Sequence, residues 1–131
     1  MKNNIFFSFS LCLFLGISSS PIAAQGWTLL GSAKVHGGSD HDEIFVTATR
    51  GDFTAIKLVV ENEGIDFDRV VVHFANGGED EMHIRNFIPA GGETRVLDLK
   101  GGDRVIRRVV FFYKSNPMTK RKGKVVLYGR R

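Results

Sequence analysis

The residues best equipped for chemistry lie in the last third of the chain. Arg104, Arg107, Arg108 and Lys114 fall on one run of β-branched and aromatic residues, with Phe111 and Tyr113 among them. Side chains of a strand alternate between its two faces. Alternation predicts Arg104, Arg108 and Lys114 on one face, and Arg107, Phe111 and Tyr113 on the other. A cation beside aromatic rings suits a ligand held by charge and stacking, as on sugar and single-strand platforms. Lys120, Arg121 and Lys122 follow in the polar segment after Ser115-Asn116-Pro117, which reads as an exposed loop. The candidate ligand-binding set is therefore Arg104, Arg107, Arg108, Tyr113, Lys114, Lys120, Arg121 and Lys122. The simpler alternative makes Phe111 core, Tyr113 its rim, and Arg107 the partner of a nearby acid.

Other chemistry has thinner support. Asp40-His41-Asp42-Glu43 follows a glycine pair, and calcium takes oxygen ligands from such loops. The Asp-x-Asp-x-Asp-Gly frame is missing, so Asp40 and Asp42 are weak metal candidates that solvated turns explain more simply, and no cofactor is expected. Glu79-Asp80-Glu81 is a second acidic group after Gly77-Gly78. The two could share a cation only if they sat at one end of the fold. Asp66 and Asp68 read as a turn. His36 and His41 are close enough to ligate jointly, and His83 is placed to face His73 across a hairpin. Zinc nevertheless needs about four converging ligands. Nucleophilic catalysis finds no cysteine outside Cys12, no Gly-x-Ser-x-Gly elbow, and only Ser39 and His41 as neighbours. The acids are numerous enough that a pair for glycoside hydrolysis is uninformative. No catalytic residue is assigned, and an enzyme is not the expected answer.

The elements that must position these residues are short apolar runs separated by glycine. Gly37-Gly38, Gly77-Gly78, Gly91-Gly92 and Gly101-Gly102 mark turns. Between them eight strands are predicted, near Trp27–Val35, Glu43–Thr49, Thr54–Glu61, Arg69–Phe74, Met82–Phe87, Thr94–Leu99, Val105–Lys114 and Lys124–Tyr128. Ile56, Leu58 and Val60 alternate as in a half-buried antiparallel strand. Val70-Val71-Val72 and Val109 to Tyr113 are apolar on both faces, which suits central strands. Asn76-Gly77 predicts a hairpin. Pro89 cannot donate to a ladder, so Ile88-Pro89-Ala90-Gly91-Gly92 reads as a corner where the chain changes sheets. The expected fold is a single-domain, all-β antiparallel sandwich, jelly-roll-like, of about eight strands. Trp27 is expected to anchor the first strand in the core.

The first residues carry a different message. Lys2 precedes an apolar run from Ile5 to Ile17, then Ser18-Ser19-Ser20-Pro21 and the small residues Ala23-Ala24. These are the parts of a secretory signal peptide over residues 1–24, cleaved before Gln25. The run is too short to span a bilayer, which takes about 20 residues. Residues 25–131 are then the working domain, periplasmic or secreted, with no transmembrane span. Cys12 leaves with the signal, so no disulfide is expected. Leu11 before it does not suit a lipoprotein signal, which wants a small residue there. Export makes nucleic acid an unsuitable partner.

Charge is segregated along the chain. Residues 25–100 hold 7 basic and 13 acidic side chains, and residues 101–131 hold 10 basic and one acidic. Either the basic strands neutralise acidic neighbours across the sheet, or they form a cationic face for an anionic partner.

The motifs also carry a resemblance. Gly26-Trp27-x-x-Leu30-Gly31, Asp42-x-Ile44, Gly51-x-Phe53-x-Ala55-Ile56 and Phe74-x-Asn76-Gly77 are followed by Ile88-Pro89-Ala90-Gly91-Gly92-x-Thr94-Arg95, Gly101-Gly102-x-Arg104-x-Ile106 and Leu127-Tyr128-Gly129. Along most of residues 26–129 the chain resembles a family of small exported bacterial proteins of unknown function. The resemblance implies a β-sandwich-like domain and export, and no catalytic residues. The leading expectation is a non-catalytic binding module of the cell envelope, holding an anionic glycan, lipid headgroup or protein. The alternatives are a structural or assembly partner pairing through a sheet edge, and a hydrolase with an unrecognised site.

Overall fold

Runs that alternate apolar and polar residues must each bury one face, and two sheets packed face to face satisfy them together. The computed structural model describes residues 26–35, 40–47, 50–114 and 123–131. Among these residues are nine strands and no helix: β1 (Trp27–Lys34), β2 (His41–Phe45), β3 (Asp52–Phe53), β4 (Ala55–Glu61), β5 (Ile65–Phe74), β6 (Glu79–Ile88), β7 (Leu97–Asp98), β8 (Arg104–Tyr113) and β9 (Lys124–Arg130). One antiparallel sheet has the order β1-β9-β4-β7, and the other β2-β8-β5-β6 with β3 also pairing β8. With β3 set aside and the other eight renumbered in chain order, the sheets read 1-8-3-6 and 2-7-4-5. That interleaving is the jelly roll.

The inward positions of both sheets make one core. Ile56, Leu58, Val60, Val125 and Leu127 face Phe67, Val70, Val72, Val109 and Phe111, all but closed to solvent. The rings of Phe67 and Phe111 meet edge-on with centroids 6.0 Å apart. β5 and β8 are the central strands of their sheet, which accounts for valine and phenylalanine on both their faces. Gly129 is required by close approach, since a Cβ there would stand 2.8 Å from the Phe53 ring and 2.9 Å from Leu30.

Several expectations need correction. Beside the about eight strands expected, the described residues add Asp52–Phe53, a short strand against Val105 and Arg104. Asp66 and Asp68 lie inside β5 rather than in a turn, and Glu79-Asp80-Glu81 begins β6 rather than a loop. The strand expected over Thr94–Leu99 is reduced to Leu97–Asp98. The segment before it follows β4 irregularly, with Thr94 N–H donating to the Leu58 carbonyl at 2.9 Å and Thr94 Oγ1 accepting from Leu58 N–H at 3.1 Å. Trp27 is absent from the core: it lies on the outer face, 4.5 Å from Lys57 Nζ and 4.9 Å from the Arg130 guanidinium. The corner at Ile88–Gly92 does carry the chain from β6 in one sheet to a course beside β4 in the other, with Gly91 at φ +88°. No helix among the described residues is long and apolar enough to cross a membrane.

Candidate functional site

The outer face of the β2-β8-β5-β6 sheet positions most of the chemically equipped residues. Register stacks them in three rows across the four strands. The first is His41, Phe112, Arg69, His83; the second Glu43, Val110, Val71, Glu81; the third Phe45, Arg108, His73, Glu79. Opposite charges meet across these rows. Arg108 Nη1 is 2.7 Å from Glu43 Oε1, Arg69 Nε is 3.2 Å from Glu81, and His73 Nδ1 is 3.4 Å from Glu79. Arg69 also lies flat over Phe112, 3.9 Å from the ring centre.

Alternation fails at one point on β8. Ile106 pairs with Phe74 and Arg108 with His73, so Arg107 has no opposite residue on β5. A β-bulge of this kind re-aims side chains. Ile106 turns into the core and Arg107 turns out to solvent. Arg107 therefore does not share a face with Phe111 and Tyr113, which is a correction to the alternating reading. Phe111 is fully buried and Tyr113 nearly so. The bulge instead brings consecutive arginines, Arg107 and Arg108, to one cleft of about 390 Å³, which Phe45, His73, Phe74, Gly77 and Gly78 complete.

The floor of the cleft is the β5–β6 hairpin. Phe74 N–H donates to the Gly78 carbonyl at 2.8 Å and Gly77 N–H to the Phe74 carbonyl at 3.0 Å. Gly77 takes φ +94°, the left-handed turn position that glycine fills without steric cost. Gly78 N–H donates to Asn76 Oδ1 at 3.0 Å. Phe45 is 69% exposed. Arg107 has no side-chain partner among the described residues, whereas Arg108 is held by Glu43.

The other predicted site residues are dispersed. Arg104 lies over the Phe74 ring at 3.8 Å and donates to the Lys100 carbonyl at 2.8 Å, which braces the loop before β8. Tyr113 donates its hydroxyl to Asp42 Oδ2 at 2.6 Å. Lys114, at the far end of β8, has Asp66 at 3.8 Å. Lys120, Arg121 and Lys122 lie outside the described residues, as do His36 and Ser39. Asp40 Oδ1 is 2.7 Å from His41 Nδ1. That hydrogen bond, with the nearby imidazole and Arg69 charges, holds the Asp40 carboxyl below its usual value against a small desolvation effect. Asp40 and Glu79 sit at opposite ends of the sheet, so the two acidic groups do not share a cation. Among the described residues no three His, Cys, Asp or Glu side chains converge as metal ligands. His83 lies opposite Arg69, not His73.

Phe45 has no signal of its own in the sequence, Gly77-Gly78 reads there only as a turn, and His73 only as a weighed zinc ligand. Their contribution depends on which strands neighbour β8, which pairing decides.

Residues 6–129 match the family described as "Domain of unknown function (DUF2541)". The chain belongs to that family. In this DUF2541 chain the glycine motifs occupy the hairpin beneath the cleft, the sheet-changing corner and the loop braced by Arg104. A search of curated proteins gave no match. Among solved structures the fold is similar to part of AlgX from Pseudomonas aeruginosa, with TM-score 0.55 and 11% identity, covering 79% of this chain and 27% of that one. At that identity the likeness concerns the fold alone.

Proposed function

We propose that residues 25–131 form an exported, non-catalytic binding module of the cell envelope that holds an anionic envelope component. The observation that carries this reading is the cleft in which Arg107 and Arg108 meet beside an exposed Phe45. The signal-like residues 1–24 support its placement outside the cytoplasm. The carboxylates beside the cleft, Glu43 and Glu79, are occupied by Arg108 and His73. That arrangement suits holding a charge better than acid–base work on a substrate. Edge pairing has less behind it: Arg95 donates to the His83 carbonyl of β6, an edge strand, and β7 is only Leu97–Asp98.

The test is binding of purified residues 25–131 to isolated envelopes over a salt series. Screening shortens from about 30 Å at 0.01 M to about 10 Å at 0.1 M, so binding through exposed cations should fade across that range. Arg107→Gln should weaken it at low salt. Absence of envelope binding at every salt concentration would refute the proposal.

A further inference from the structure

We infer that the cleft takes one carboxylate-bearing sugar unit of an acidic glycan, with Arg107 as the residue that receives the carboxylate. This rests on the anion-binding reading above and narrows it to one chemistry. The bulge places both arginines at the cleft, but their situations differ. Arg108 is fixed by Glu43 at 2.7 Å and acts as a positioning residue. Arg107 is exposed and without a side-chain partner among the described residues.

Local charge selects among anions. Arg108 with Glu43 makes a neutral pair, and His73 stands beside Glu79 at 3.4 Å. Among the described residues, Arg107 lines the cleft with no acidic partner, and Arg104, over the Phe74 ring, is a further cation nearby without one. A carboxylate brings a single negative charge and matches the planar guanidinium fork with two parallel hydrogen bonds. A phosphate monoester brings about 1.5–2 negative charges. The excess would face the Glu43 and Glu79 carboxylates beside the cleft.

Phe45 supplies the second half of the recognition. It stands directly opposite Arg108 in register, on the face where the cleft opens. Its ring is exposed on that face and open to a ligand in the cleft. A pyranose carrying a carboxylate has the matching shape, with a flat C–H face for the ring and an anionic group at its edge. The carboxylate of an acidic peptide has no such face beside it. A cleft of about 390 Å³ is at the small end of ligand sites, which suits a single ring.

The experiment follows amide NMR shifts of residues 25–131 titrated with oligogalacturonate, a neutral galacto-oligosaccharide of equal length, inorganic phosphate and oligoglutamate. Oligogalacturonate is expected to shift residues 45, 73, 77, 78, 107 and 108, and the other probes to bind at least about tenfold more weakly, the scale of one charged hydrogen bond. Arg107→Gln should lose that advantage without moving the urea midpoint. Phe45→Ala should weaken oligogalacturonate and leave acetate binding at the cleft unchanged. Preference for phosphate or oligoglutamate would overturn the sugar inference while leaving the anion reading intact. So would oligogalacturonate binding that Arg107→Gln does not alter. Silence from every probe while envelopes still bind would overturn the inference alone, and silence from both would overturn the module reading as well.

Discussion

Arg85 holds φ at +47°, in the left-handed region that L-residues enter at a cost. It sits where two β6 residues, Ile84 and Arg85, lie between the pairs formed by His83 and Asn86, while β5 has only Asp68 between theirs. The strain is about 1–2 kcal/mol, and glycine, which relieves it, costs about 0.5–1 kcal/mol in extra chain entropy. Arg85→Gly is therefore expected to leave the urea midpoint unchanged or raised, and Arg85→Val to lower it. A fall with glycine would mean the arginine side chain itself holds the bulge. Asp40 offers a second residue-scale test. The hydrogen bond with His41 depresses its pKa, so its contribution to stability is present above the unfolded-state value and lost as pH falls through the folded one. In His41→Gln, carboxyl NMR titration should show the Asp40 pKa rising towards 3.8.

At the scale of elements, Asp80 links two turns. It is 2% exposed, and its Oδ2 accepts from Lys100 N–H at 3.0 Å while Lys100 Nζ stands 3.8 Å from Oδ1. It thus ties the start of β6, a strand of the cleft hairpin, to the loop before β8, the strand that carries Arg107. Hydrogen bonds to charged groups contribute about 1.5–3 kcal/mol, so Asp80→Ala should cost about that much in urea unfolding. Asp80→Asn keeps an acceptor and should cost less; equal losses would mean the charge rather than the hydrogen bond matters. Much of this element level was legible in sequence. Period-two alternation located β4, Gly77-Gly78 and Gly101-Gly102 located turns, and Pro89 with Gly91-Gly92 marked the change of sheet, while Gly37-Gly38 lies outside the described residues. The bulge was not legible: only the structure shows Ile106 and Val109 both buried and three apart, where a regular strand places inward residues two or four apart. Arg107 followed strict alternation only on paper. The partners of β8 were not legible, because pairing of β2 and β5 with β8 joins segments far apart in the chain, and no local pattern records it. Phe45 and His73 therefore entered the site only through register.

At the scale of the whole molecule, the linear segregation of charge is undone by the jelly-roll interleaving. The strands of the basic third are inserted between acidic ones: Arg108 meets Glu43, Lys114 meets Asp66, and Lys124 meets Glu61. Among the described residues, neutralisation across the sheets thus accounts for these three cations, and Lys120, Arg121 and Lys122 lie outside that accounting. The two kinds of charge should answer salt differently. Exposed ion pairs contribute about 0–1 kcal/mol each, and screening also relieves like-charge repulsion such as that between Lys34 and Lys124, which lie directly opposite on neighbouring strands. Raising salt from about 0.01 to 0.5 M should therefore move the unfolding midpoint little, because core burial and not surface pairing sets stability. Phe111→Ala, which empties the centre of that core, should cost about 3–5 kcal/mol at either salt. Anion binding should collapse over the same range, since Arg107 has no side-chain partner among the described residues. Parallel loss of stability and binding would mean the surface pairs hold the sandwich together. Loss of binding alone would separate the cleft, as a site, from the charge lattice that surrounds it.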